Sequence, residues 1–391
     1  MIVVASKVYF IDVKSRKKNE NLEVKLAKLF DKSGAASAIS KGDLVAVKIH
    51  FGEPGNFRFI RPSHIRVIVD KIKELGAKPF ITDTTGVGLT GGRGTAEKCL
   101  EAAAMHGYTP ESLGAPIVVA DGLKGFSGVK VKVNGLRLKE VEVAQAIAEA
   151  DALVSLAHAK GHSRTGFGGA LKNIGVGCLT KSGKAPLHLA MKPKIKVEVC
   201  NKCMKCVEFC PAKAIQLVDN HLKVIEEKCL WGCGCWTICP INAITSWSEM
   251  HHPRNSELSI RVADAASAII NLIGKDKVFF FNFAYDITPH CDCAAYADIP
   301  IVPDIGVLAS KDPVAIDKAS IDMINNSPGI PGSAVDELGV MEPGKDKLSA
   351  LIDYPPFSYA KPQGGPDWKS MIEAAVKLGI GSDQYELIKV A

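Results

Sequence analysis

Four cysteines followed by a proline occur twice in this chain, as CNKCMKCVEFCP at residues 200–211 and as CLWGCGCWTICP at residues 229–240. No other feature constrains the local fold as tightly. In the first copy Cys200, Cys203, Cys206 and Cys210 precede Pro211 with the spacing C-x2-C-x2-C-x3-C-P. Three closely spaced thiolates can wrap one iron–sulfur cubane. The fourth, just before a proline that turns the chain, points at a neighbouring cluster. A zinc ribbon usually offers two separated C-x2-C pairs instead.

The second copy departs from this spacing at one place. Gly232 stands where a cysteine is expected and Cys233 follows one residue later, so the pattern is C-x3-C-x-C-x3-C-P. The count of four thiols is kept in Cys229, Cys233, Cys235 and Cys239, and PAKAI and PINAI follow the two runs. Gly232 and Gly234 flank the moved cysteine and free the backbone to redirect its thiolate. A second cluster, a zinc site or free thiols all fit this copy. Residues 200–244 resemble a two-cluster ferredoxin module of the bacterial type. The resemblance implies two [4Fe-4S] clusters with crossed ligands: Cys200, Cys203, Cys206 and Cys239 on one, Cys229, Cys233, Cys235 and Cys210 on the other.

Eight of the 12 cysteines lie between residues 200 and 239. The first residues, MIVVASKVYFIDVKSRKKNE, alternate like a strand and carry no export signal. Thiols in such a chain are expected to stay reduced, which favours metal or redox chemistry over a disulfide framework and a cytoplasmic location. No apolar run approaches the roughly 20 residues that cross a bilayer. The formal charge of +6 is spread among acidic residues, and two clusters would each add about two negative charges. Nucleic acid is therefore not an expected partner; a redox protein is, and a small-molecule substrate fits the remaining mass.

The remainder reads as α/β: a mostly parallel sheet with helices on both faces, interrupted by the ferredoxin-like α+β insert. Strands are expected at 2–10, 44–51, 79–84, 117–122, 152–158, 277–285 and 299–302. Helices are expected at 62–76, 95–107, 139–150, 256–273, 313–325 and 367–379, with loop over 327–366. The domain reading is residues 1–195 as the first part of the α/β domain, 196–247 as the insert, and 248–391 as the second part and tail.

In open α/β sheets ligands bind beyond the carboxyl ends of the strands. The residues there are polar and varied: His50, Asp83, Asp121, His158, Lys160 and His162. The loop from Gly86 to Gly94, with Gly91, Gly92 and Arg93, leads into a helix near Thr95 and reads as an anion cradle. It matches neither a P-loop nor a dinucleotide fingerprint. Cys291 and Cys293, in HCDC, are open to three readings: metal ligands, a redox pair or loop residues. Asp304, Asp312 and Asp317 are expected near the same rim, with Asp312 also a helix cap.

HSRTGFGGALKNIGVGCLTKSGKAPLH, residues 162–188, resembles the nickel-pincer lactate racemases in its histidine, GFGG turn, lysine and later histidine. The resemblance implies His162 as an acid–base group, Lys172 as a cofactor attachment point and His188 as a metal ligand, with Gly168 and Gly169 in the cofactor-binding turn. Across its length the chain resembles an uncharacterised prokaryotic α/β family with a ferredoxin insert, on HAKGHSRTGFGGALKN, the paired cysteine runs and CDCAAYADIPIVPDIGVLASKDPVAIDKASID. The expected function is an iron–sulfur oxidoreductase or electron-transfer protein. Its two clusters would serve a site built from His50, His158, Lys160, His162 and Lys172, with a further metal or organic cofactor left open. A racemase-like or metal-dependent enzyme with structural clusters, or a docking module of a larger redox complex, are the alternatives.

Overall fold

The computed structural model describes residues 5–246 and 253–390. Its centre is an eight-stranded sheet. In chain order the strands are β1 (Ser6–Asp12), β2 (Leu44–Lys48), β3 (Lys78–Asp83), β4 (Ile117–Val119), β5 (Ala152–His158), β6 (Val278–Ala284), β7 (Gly306–Ser310) and β8 (Tyr385–Lys389). In space they run β8-β1-β7-β6-β5-β2-β3-β4. Five neighbouring pairs are parallel, and β7 alone runs against both its neighbours. The fold is α/β.

The helices that flank the sheet or border its carboxyl edge are α1 (Leu22–Ser33), α2 (Pro62–Glu74), α3 (Ala96–Met105), α4 (Ala170–Gly175), α5 (Lys181–His188), α6 (Asn255–Ile273), α7 (Pro313–Asn326) and α8 (Lys369–Lys377). The strand β6, VFFFNFA, explains why they cover both faces. All seven of its residues are buried, and successive side chains point to opposite sides. Phe279, Phe281 and Phe283 join a core with Leu26, Phe30, Ile65 and Ile68 from α1 and α2. Phe280 and Ala284 join the opposite core with residues of α4, α6, α7 and α8. Each buried phenylalanine stabilises the fold by roughly 1.5–3 kcal/mol. Truncating Phe281 to alanine would therefore loosen the sheet from α1, whose Phe30 ring stacks on it at 6.2 Å.

Several sequence expectations shift here. The first strand covers Ser6–Asp12, and residues 2–4 of the expected one lie outside the described residues. The expected strand at 299–302 does not pair as a strand, although Ile301 and Val302 are fully buried. The chain enters the sheet slightly later, at β7. Residues 139–150 are not one helix: Glu140–Ala144 is a strand paired with Gly128–Lys132, followed by a single turn over Gln145–Ala148. The period-two order E-V-E-V outweighs apolar spacing that also fits a helix. The expected loop over 327–366 contains short helical turns, the longest at Pro355–Gln363.

The cysteine-rich stretch lies between β5 and β6, which are consecutive in the sheet and pair in parallel. Its strands Ile215–Val218 and His221–Val224 pair only with each other. Its own core is small: Cys206, Ile215, Leu222, Cys235 and Ile244. The expected boundary at 247–248 lies outside the described residues. Among the described residues, no helix is long and apolar enough to cross a membrane.

Candidate functional site

A cavity of about 170 Å³ opens beyond the carboxyl ends of β2, β3 and β5, room for roughly ten water-sized spheres. The structure brings together on its wall His50, Arg93, His158, Lys160, His162, Gly168, Gly169, Lys172, His188, Cys291 and Cys293. Its lining carries Arg93, Lys160, Lys172 and Lys184 against a single carboxylate, Asp83. Arg93 is paired with Glu53 and Lys160 with Asp292 just behind that wall, which leaves Lys172 and Lys184 as the cations that favour an anionic guest.

His158 is the last residue of β5, and both of its ring nitrogens are engaged. Nε2 lies 2.8 Å from the Tyr285 carbonyl and Nδ1 lies 2.8 Å from Asp292. It is a fixed part of the wall and has no nitrogen to spare for base or ligand work, which corrects the sequence expectation. The second oxygen of Asp292 pairs with Lys160 at 3.2 Å. Burial pushes the Asp292 carboxyl up, but Lys160 and His158 outweigh it and hold the group well below the usual carboxylate range. This buried triad anchors the turn that carries the two cysteines, which is closed by the Ala294 N–H donating to the Cys291 carbonyl at 2.9 Å.

At that turn the sulfurs of Cys291 and Cys293 and a ring nitrogen of His162 lie within 4.8 Å of one another. Lys172, on α4, places Nζ 3.6 Å from the Cys291 sulfur. A hydrogen bond from Cys293 holds the Cys291 thiol well below its ordinary value against the opposing effect of burial, with Lys172 and Lys160 assisting. The same hydrogen bond drives Cys293 well above it, although Cys293, unlike Cys291, is exposed. The opposite directions make Cys291 the member of the pair that gives up its proton more readily. For Lys172, burial disfavours the charged form, but Cys291 and Cys293 outweigh it and its value rises.

The His162 ring accepts backbone N–H groups from Arg164 and Thr165 at its Nδ1, at 3.1 and 3.0 Å. The neutral ring therefore carries its hydrogen on Nε2. Enclosure, and then Lys172, hold its value well below that of an ordinary imidazole. His50 is arranged alike, with Gly52 N–H donating to Nδ1 at 2.8 Å, and burial followed by Arg93 lowers it as well. Both rings offer an N–H rather than a lone pair. With the Lys172 ammonium beside the sulfurs, these features oppose a metal ion at Cys291 and Cys293. His188 stands on the cavity wall, its Nδ1 3.0 Å from the Lys184 carbonyl, outside the group of His162 and the two cysteines.

The anion cradle expected at Gly91, Gly92 and Arg93 is not what the loop forms. Gly91 and Gly92 do not line the cavity, and a side chain at Gly92 would collide with Glu53. Arg93 is paired with Glu53 at 2.8 Å and lies 3.5 Å from Asp83. The start of α3 is satisfied internally, by the Thr95 hydroxyl and the Leu123 carbonyl. Nor does the Gly168–Gly169 turn present open backbone donors, because Asp317 accepts from Ala170 and Leu171 N–H at 2.7 and 2.9 Å. Gly169 is there for close approach, since a Cβ would lie 2.3 Å from Asp317. Asp317 thus sits behind α4 and not on the rim.

Sequence reasoning missed Lys48, Lys184 and Asp292. Lys48 is fully buried at the end of β2, pairs with Asp83 at 2.9 Å and reaches the Asn173 side chain at 3.0 Å. A lysine inside the apolar run VAVKI was the available signal. Lys184 donates to the Thr84 hydroxyl at 2.6 Å, and burial lowers its value against Asp121 and Asp83.

The eight clustered cysteines divide between two further cavities. One is lined by Cys200, Cys203, Cys206 and Cys239, with Ile195, Leu222 and Ile244. The other is lined by Cys210, Cys229, Cys233 and Cys235, with Ile215, Leu230 and Trp231. All eight are free thiols. Cys210 and Cys239 accept backbone N–H from Ala214 and Ala243 at 3.3 and 3.2 Å, as cluster ligands commonly do. Apolar walls, four converging sulfurs and N–H donors fit an iron–sulfur group in each.

The altered spelling of the second phrase has a visible use. Gly88 N–H donates to the Gly232 carbonyl at 2.8 Å and Leu89 N–H to the Cys233 carbonyl at 2.9 Å. Gly234 takes φ 82°, and a Cβ there would lie 2.8 Å from Gly88 Cα, while one on Gly232 would lie 2.8 Å from the Lys181 carbonyl. The two glycines let the cysteine loop lie directly against residues 86–89, and Gly86 and Val87 line the central cavity.

Comparison with known proteins agrees with parts of this picture. The chain is 26% identical over 161 residues to the thylakoid-associated protein sll1697 of Synechocystis, covering 40% of this chain and 45% of that protein. It is 38% identical over 56 residues to a ferredoxin of Pyrobaculum islandicum (14% of this chain, 52% of the ferredoxin). It is 39% identical over 59 residues to the pyruvate synthase subunit PorD of Methanocaldococcus jannaschii (15% of this chain, 69% of the subunit). The chain thus spans about half the length of the first two relatives. Among solved structures, the lactate racemase apoprotein of Thermoanaerobacterium thermosaccharolyticum aligns with TM-score 0.35 at 16% identity, over 72% of this chain and 51% of that one. The family described as a domain of unknown function, DUF362, matches residues 45–322, most of the chain, and the chain belongs to that family.

Proposed function

We propose that this protein is an iron–sulfur oxidoreductase of a reducing, cytoplasmic compartment, in which residues 196–247 form a two-cluster module serving the central cavity. Cys200, Cys203, Cys206 and Cys239 would hold one [4Fe-4S] cluster, and Cys210, Cys229, Cys233 and Cys235 the other. Bound there, the clusters would supply single electrons. The observation that carries the reading is the backbone pairing of Gly232 and Cys233 with Gly88 and Leu89, which seats the second cysteine cavity on the loop that walls the site. Cys203, by contrast, is exposed, so a redox partner protein would meet the outer cavity. The cationic wall would orient a small anionic substrate, with the His50 and His162 N–H groups as donors toward it.

The test is to isolate the protein without oxygen, count iron, sulfide, zinc and nickel, and follow reduction by electron paramagnetic resonance. About eight irons per chain are expected, with two interacting reducible centres. Zinc in place of iron overturns the reading. So does nickel accompanied by clusters that cannot be reduced, which is the signature of a racemase-like enzyme.

A further inference from the structure

The central cavity holds a feature that electron delivery alone does not explain. Two sulfurs sit on one tight turn, Cys291–Ala294, with an ammonium beside the first. Residues two apart on a closed turn have Cα atoms within the range a disulfide spans. The two sulfurs already lie within 4.8 Å of each other. Asp292 between them points away, pinned by His158 and Lys160. The turn is thus held while the sulfurs face the cavity.

Resting on the iron–sulfur reading above, we propose that Cys291 and Cys293 are a dithiol/disulfide pair that turns single electrons from the two clusters into a two-electron reduction inside the cavity. In the reducing direction, one electron from each of two reduced clusters breaks the Cys291–Cys293 bond. Cys291 keeps its new electron pair as a thiolate beside Lys172, and Cys293 takes up one proton. In the opposite direction the S–S bond reforms, Cys293 loses that proton, and one electron passes to each of the two oxidised clusters. Two clusters storing one electron each match the two electrons of a disulfide. Lys172, with Nζ 3.6 Å from the Cys291 sulfur, and then Lys160 stabilise a thiolate there. They also disfavour the competing use of the two sulfurs, a metal ion shared with His162, whose Nδ1 is already occupied by backbone N–H groups.

The experiment is an anaerobic reductive titration of holoprotein isolated without oxygen and oxidised with a mild dye, paired with peptide mass mapping under alkylation. Wild type should take up about four electrons, and Cys293→Ser and Cys291→Ser about two, with cluster spectra unchanged. Mapping should find one peptide containing both Cys291 and Cys293 protected from alkylation until reduced. Lys172→Gln keeps both thiols and should slow alkylation of reduced Cys291 on the order of tenfold at neutral pH. Equal electron uptake by wild type and Cys293→Ser overturns the proposal, as does zinc or nickel bound in wild type and lost in the variant. The mass mapping does not depend on iron. A chain without clusters that still forms the Cys291–Cys293 bond would sink the iron–sulfur reading while leaving the dithiol in place.

Discussion

The two cysteine cavities are near copies in sequence and differ in what lies around them. The one built on the unaltered phrase is closed by residues of its own module, and Cys203 reaches the surface. The one built on the altered phrase has its moved cysteine buried, and its backbone is bonded to the Gly86–Gly94 loop of the α/β body. Their ligand number is the same. What the displaced cysteine and its flanking glycines change is the surface the loop presents, so spacing specifies what a phrase binds and departures from it can specify where the phrase docks.

The largest difference between regions should appear on removing iron. The cysteine-rich stretch has a core of five residues, two of them cysteines, too few to offset the conformational entropy of ordering a segment of that size. The α/β body has two extensive cores of its own. Chelation under reducing conditions should therefore abolish amide-exchange protection across residues 196–246 and leave that of β5 and β6 intact, as hydrogen-exchange mass spectrometry would read. Protection retained in the insert without iron would mean that thiol packing alone folds it.

Next in size is the body's own weak point, its buried charges. Asp292→Asn strips the partner from Lys160 and His158 and should cost about 3–5 kcal/mol, measured by denaturant unfolding. The sign with pH follows from the depressed carboxyl. Its stabilisation is fully present above the unfolded value near pH 4 and is lost as pH falls below it. The variant should lose that acid slope. Asp317 behaves oppositely, because burial raises it to about 6 against the hydrogen bonds of Asn282, Leu171 and Ala170. Its contribution is present below about pH 4 and is lost as pH rises toward 6, a slope that Asp317→Asn should flatten.

Much of this was legible along the chain. Strand β5, ALVSLAH, has seven buried residues and a polar end, and its sequence says both. Pro62 and Asp312 mark helix starts where local chemistry decides the matter. What stayed hidden depends on distance in sequence. The pairing of Asp292 with His158 joins residues 134 apart, and the docking of Gly234 on Gly88 joins two loops that each read alone as flexible glycine turns. Strand β7 was obscured for another reason. Its five residues, GVLAS, carry no strong strand signal, and it gains its place by pairing on both sides.

The smallest effect tests the docking directly. Gly234 combines a left-handed backbone with a Cβ position 2.8 Å from Gly88 Cα, so Gly234→Val meets both strain and a clash with backbone that has no side chain to move aside. A cost of about 1–3 kcal/mol is expected, with the four sulfurs of that cavity retained. Its counterpart in the first phrase is Lys205, an exposed residue on the wall of the outer cavity, and Lys205→Val should change little. If the contact is what couples the inner cavity to the central site, the valine at 234 should slow reoxidation of the reduced clusters by a substrate-side oxidant while leaving iron content near wild type. The valine at 205 should do neither. Equal behaviour of the two variants would show that the loops merely touch, and that the misspelled phrase has no part in directing electrons toward the sheet.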